Sequence, residues 1–148
     1  MGESMNSNLS GAPPLGNVLE TCLYVSDMVR ARAFYEEVIG LEPMMQDERL
    51  TAYPAGPGSV LLLFRQGTTA RPAPTPGGII PAHEGSGRLH YAFAIPADAL
   101  NNWRTHLASN GVVVESEVSW PRGGRSLYFR DPENNLVELA TPGLWANY

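Results

Sequence analysis

The segment 18–25 (VLETCLYV), followed by a helix-forming stretch, returns about seventy residues later as 89–95 (LHYAFAI), again with such a stretch behind it. A near-repeat on that scale constrains the chain to two similar units, so an element order read for one half must serve for the other. The alignment sets Glu20 against His90, two metal-ligating residue types at the same point of two equivalent strands. Glu138 lies near the end of the second copy, in 136–140 (LVELA). Two carboxylates and an imidazole converging from separate strands would form a small open metal site.

The first unit begins with strand 18–25, one face carrying Leu19, Thr21, Leu23 and Val25, the other Val18, Glu20, Cys22 and Tyr24. Ser26 or Asp27 can cap the helix that follows, where Met28, Ala31, Tyr35 and Val38 make an apolar stripe and Gly40 a stop. Short strands are expected at 42–46, 50–53 and 59–64. Segment 66–88, rich in proline and glycine, is read as a long connection. The second unit repeats the order with strand 89–95, a helix over 97–110, a stop at Gly111, and strands 112–118, 126–130 and 136–141. Residues 131–135 (DPENN) form the turn between the last two. The expected fold is α+β, with two βαβββ modules (17–65 and 89–143) in one domain spanning 17–148.

Strand parity gives an independent argument. If the helices cover the face bearing Tyr91, Phe93, Val137 and Leu139, then His90, Glu138 and small neighbours face the other way, toward a concave surface. Burying those ionisable groups alone would be costly, and a bound metal would compensate.

Bulk properties bound the partners. A net charge of −5 over 148 residues offers no basic footprint for nucleic acid, which leaves a small molecule as the expected partner. No run is apolar enough to span a bilayer, and residues 1–16 lack both a basic start and a hydrophobic stretch. They are read as a flexible arm, and the chain as soluble and cytoplasmic. Cys22, the single cysteine, rules out an internal disulfide and is expected to be a buried, inert thiol.

These residues resemble the vicinal oxygen chelate superfamily, which includes glyoxalase I, extradiol dioxygenases and bleomycin-binding proteins. The resemblance runs from about Val18 to Gly143 and rests on Ala33-Phe34-Tyr35 with Ile39-Gly40-Leu41, on His90-Tyr91-Ala92-Phe93, and on Tyr128-Phe129-Arg130-Asp131-Pro132 leading into Asn135-Leu136-Val137-Glu138-Leu139. It implies paired modules whose sheets curl round a cup, with ligands on the first and last strands of each. Carried over, those positions are Glu20, Leu63, His90 and Glu138. Glu20 departs from the histidine or glutamine usual there, and Leu63 cannot ligate. The resemblance also implies a homodimer and a lyase, isomerase or conjugating reaction.

Glu20, His90 and Glu138 would hold one divalent ion (Mn²⁺, Ni²⁺, Zn²⁺, Mg²⁺ or Fe²⁺), with Glu138 or Glu20 also moving the proton. Tyr128 is read either as a donor to a ligand oxygen or as a packed core tyrosine. Trp120 with the basic edge 122–125 (RGGR), Arg125 included, would receive an anionic or planar substrate, or is a plain surface hairpin. Tyr24 suits the cup lining or an interface, and His83 is a solvated loop residue or a lid. The competing function is a metal-free protein that sequesters a small molecule, with Glu20 ion-paired rather than ligating.

Overall fold

The computed structural model describes residues 11–148. The first ten residues of the expected arm lie outside the described residues, and 11–16 are exposed without helix or strand.

Module 1 comprises β1 (Glu20–Val25), α1 (Met28–Ala33) continued by a π-helical turn (Phe34–Val38), β2 (Met45–Gln46), β3 (Leu50–Pro54) and β4 (Val60–Arg65). The expected strand at 42–46 shrinks to its last two residues. The Asp27 carboxylate accepts the Arg30 amide at 3.1 Å and caps α1. The π turn adds a residue to the helical circuit, so that Phe34 and Tyr35, adjacent in sequence, are both buried.

The connection 66–88 holds a hairpin absent from the sequence reading, β5 (Ala73–Thr75) with β6 (Gly78–Ile80). Module 2 follows with β7 (His90–Ala94), a 3-10 turn (Ala97–Ala99), α2 (Leu100–Ser109), β8 (Ser116–Ser119), β9 (Arg125–Arg130) and β10 (Leu136–Ala140). The expected strand 112–118 starts later, because Val112 and Val114 pack singly against the core before pairing begins.

Each module is a four-stranded mixed sheet, ordered β1-β4-β3-β2 and β7-β10-β9-β8. The first and last strands of a module run parallel at its edge and centre, and the remaining pairs are antiparallel. Among the described residues, β1 and β7 therefore each present one unpaired edge.

Parity holds throughout. Leu23, Val25, Leu61, Leu63, Leu127, Phe129, Val137 and Leu139 belong to one buried cluster with Met28, Ala31, Phe34, Tyr35 and Leu107 of the helical segments. The helix-bearing faces of both modules thus share a core, and the opposite faces remain for the cup. The modules interlock through polar contacts as well. Tyr35 donates its hydroxyl proton to Asp131 at 2.7 Å and accepts one from Tyr91 at 2.6 Å. Glu133, in the turn before β10, accepts the Ser26 amide and hydroxyl at 2.7 Å each and the Asp27 amide at 3.1 Å.

Burial pushes the phenols of Tyr35, Tyr53 and Tyr91 above their ordinary range, and raises Tyr24 to about 12 with help from nearby Cys22 and Glu84. The folded chain holds these protons more tightly than the unfolded chain, whose tyrosines titrate near 10. Their stabilising contribution is complete below about pH 10 and is lost as pH climbs through the folded values. A melting temperature flat up to about pH 10 and falling above it, in step with tyrosinate absorbance, is the expected profile. A decline that Tyr35→Phe leaves unchanged would remove Tyr35 from that account.

Candidate metal centre

The module 2 cup face is built by β7, β9 and β10. Register pairs Leu136 with His90, Glu138 with Ala92 and Glu138 with Tyr128, so His90, Glu138, Tyr128 and Ser126 share that face. His90 Nε2 lies 3.3 Å from Glu138 Oε1; the imidazole is half exposed and the carboxylate buried. The other ring nitrogen, Nδ1, is 2.9 Å from the Leu136 carbonyl. A carbonyl oxygen only accepts, so Nδ1 carries the proton.

In the neutral ring Nε2 then turns a lone pair toward a carboxylate oxygen. Two acceptors at that separation call for a cation between them or a second proton on the ring. A histidine that donates its second nitrogen to a backbone carbonyl is also the usual arrangement of a metal-ligating imidazole. The pair thus offers two of the donors that a divalent ion would take.

The remaining groups order the carboxylate. Ser126, fully buried, donates to Glu138 Oε2 at 2.5 Å and accepts from the Trp120 indole at 2.8 Å. The Tyr128 ring centre is 6.2 Å from that of His90. Burial first, and Glu138 second, raise the Tyr128 phenol, which keeps it a proton donor at neutral pH.

Glu20 does not join this group. It is exposed at the start of β1, and among the described residues no three of His, Cys, Asp and Glu gather closely enough to hold a metal. Among the described residues, one chain by itself brings together His90 and Glu138 of the three. Leu63 is likewise a correction: it lies fully buried in the core, and the position equivalent to Glu138 is Leu62. Cys22 pairs with Leu62 in module 1 as Ala92 pairs with Glu138 in module 2. A slip of one residue on a strand moves a side chain to the opposite face.

Arg125 and Trp120 are more constrained than a flexible edge would be. Glu117 bridges Arg125 and Arg104 of α2, and the Arg104 hydrogen bond holds its carboxyl below the usual range. Gly124 packs so closely on Gly143 that a Cβ there would fall 2.6 Å from the Gly143 carbonyl carbon. The 120–125 turn is thereby pinned to the C-terminal segment, whose Tyr148 hydroxyl donates to the Ala140 carbonyl at 2.7 Å.

Module 1 carries a different surface. Tyr24 stacks on Phe64 with ring centres 6.0 Å apart, and its hydroxyl lies 2.5 Å from His83 Nδ1. His83, half-buried, also sets its ring edge against Phe64 at 4.9 Å and exchanges hydrogen bonds with Thr69. It is an anchor that seats the 66–88 connection on the sheet, and not a solvated loop residue. Cys22 corrects another expectation, since its half-buried thiol faces this surface 3.8 Å from the Tyr24 hydroxyl. The Arg49 guanidinium lies over the Phe64 ring at 5.7 Å.

A hollow of about 510 Å³ lies elsewhere, between the modules, lined by Thr21, Val60, Phe93, Ala94, Ile95 and Trp103 among others. No residue of the candidate centre lines it. Ser126 is the site residue that the sequence reading passed over, although its shared parity with Tyr128 places it on the same face. Among the described residues, no helix is long and apolar enough to cross a membrane.

Solved structures resemble this architecture. A lactoylglutathione lyase from Agrobacterium tumefaciens is 33% identical, with a TM-score of 0.81, covering 90% of this chain and 99% of that one. A glyoxalase/bleomycin resistance protein/dioxygenase from Nocardioides matches at 21% identity and TM-score 0.68, covering 92% and 89%. The fosfomycin resistance protein of Listeria monocytogenes matches at 20% and 0.60, covering 88% and 93%. The last two show the shared fold alone. Residues 17–139 match the sequence model of the family itself, and the chain belongs to the Glyoxalase/Bleomycin resistance protein/Dioxygenase superfamily.

Proposed function

We propose that this chain is a metal-dependent lyase or isomerase acting on a small substrate with two neighbouring oxygens, of the hemithioacetal and 2-hydroxyacyl thioester class. The observation that carries the reading is the pair of acceptors, His90 Nε2 and Glu138 Oε1, facing each other at 3.3 Å with the imidazole proton committed to Leu136. The substrate class is supported by the 33% identical relative named lactoylglutathione lyase.

A divalent ion bound there would act as a Lewis acid toward the substrate oxygens. His90 and Glu138 hold it, Ser126 keeps Glu138 oriented, and Tyr128 donates to a substrate oxygen. Glu20 is the proton carrier and third ligand, supplied by a second copy of the chain. The edges that β1 and β7 leave unpaired among the described residues, with Val18 and Leu19 exposed beside Glu20, support such a homodimer.

Metal content tests the reading directly. Mass spectrometry of untagged protein, purified without chelator, is expected to find about one divalent ion per chain in wild type and almost none in Glu138→Ala. Wild type that stays metal-free after supplementation with Mn²⁺, Ni²⁺, Zn²⁺, Mg²⁺ and Fe²⁺ would overturn it. In that event the second reading, a metal-free binding protein, gains from the apolar module 1 surface of Leu62, Phe64 and Tyr24. Its signature is ligand binding that chelator treatment leaves unchanged.

A further inference from the structure

The two oxygens of Glu138 have different surroundings. Oε1 faces His90, while Oε2 accepts from Ser126 at 2.5 Å. A serine hydroxyl has one proton, and here it goes to Glu138, so the Ser126 oxygen is left to accept the Trp120 indole N–H at 2.8 Å. An indole N–H only donates and a carboxylate only accepts, which fixes the sense of the chain from Trp120 through Ser126 to Glu138.

Both ends are anchored. The Trp120 amide donates to the Gly124 carbonyl at 2.8 Å, the Gly123 amide donates to the Trp120 carbonyl at 3.0 Å, and Gly124 is itself wedged on Gly143. Ser126 is completely buried and sits opposite Ala140, one cup-face position along β10 from Glu138. The carboxylate has no freedom to turn Oε2 outward without stranding a buried hydroxyl.

We propose that Ser126 and Trp120 are positioning residues for divalent-metal binding: they lock the Glu138 carboxylate in the rotamer that presents Oε1 beside His90 Nε2. This rests on the metal-binding reading above. It gives Trp120 a role that needs no contact with substrate.

Equilibrium dialysis of the full chain against Mn²⁺, with metal read by mass spectrometry, tests it. Ser126→Ala is expected to weaken Mn²⁺ affinity about 10- to 100-fold, the range usual for a lost outer-shell partner, and Trp120→Phe toward the lower end. Thermal melts of both metal-free variants check that the fold is kept, and Trp120→Phe, altered at the turn, remains informative if Ser126→Ala fails to fold. Tryptophan emission supplies a signature that structural support alone would not give. Adding Mn²⁺ to wild type should change it, and the change should be lost in Trp120→Phe.

Wild type that binds Mn²⁺, with both variants within about twofold of it, overturns the positioning role and leaves the metal reading standing. Wild type that binds no divalent ion removes the metal reading, and the positioning role with it.

Discussion

Mixing Glu20→Ala chains with Glu138→Ala chains is expected to restore divalent-metal binding that neither variant retains alone. The argument starts from separation: Glu20 is exposed on the edge strand β1, away from the His90–Glu138 pair of its own chain. If two copies complete each other, a mixed dimer places both substitutions in one site and leaves the other intact. With random exchange, about a quarter of all sites in an equal mixture should be whole. Dialysis of the mixture after mild unfolding and refolding, against each variant treated identically, measures this. With wild type that binds metal, either Glu20→Ala that binds it equally well or a mixture no better than its components would remove the partner-supplied ligand.

Asp131→Ala is the substitution expected to cost most in stability, about 3–5 kcal/mol, because it strands several buried donors at once. Asp131 accepts from the Tyr35 hydroxyl at 2.7 Å, the Glu133 and Asn135 amides at 2.9 Å each, and the Asn135 side chain at 3.0 Å. Tyr35 and Asn135 are themselves essentially buried, so water cannot replace the lost acceptor at little cost. For a chain of this size that predicts a fall in melting temperature of roughly 10 °C. Tyr91→Phe removes a single peripheral donor and should cost only about 1 kcal/mol. Urea titrations of the two variants separate the outcomes. Equal, small losses would mean that the modules are held by their apolar cluster alone.

Most of the architecture could be read from spacing. The repeat carries both element orders, and alternation of apolar residues in 89–95 and 136–140 sets His90 and Glu138 on one face. What parity could not supply was register between strands, and there Leu63 was put where Leu62 belongs. Nothing local distinguishes those leucines, since both are apolar and only the pairing of Cys22 with Leu62 settles the choice. The β5–β6 hairpin was missed because two three-residue strands, the first containing Pro74, carry no periodic signal. Glu20 was grouped with His90 and Glu138 by equivalence between modules. Equivalence fixes a place within a module and not the distance between two modules. Ser126 was passed over, because a serine in a strand looks the same whether it faces solvent or braces a carboxylate.

The π-helical turn at Phe34–Val38 makes this chain sensitive to length at one spot. A turn of that kind holds one residue more than an α-helical turn, and each residue rotates a helix by about 100°. Deleting Glu37, an exposed position, would let the segment close into regular α-helix and swing the residues beyond it out of phase. Val38 and Ile39 could not then keep their places in the core, nor Val38 its carbonyl contact with His106 of α2 at 2.7 Å. Residue 37 thus tolerates a change of side chain far better than its own removal. In this helix the count of peptide units carries information that the identity of the residue does not.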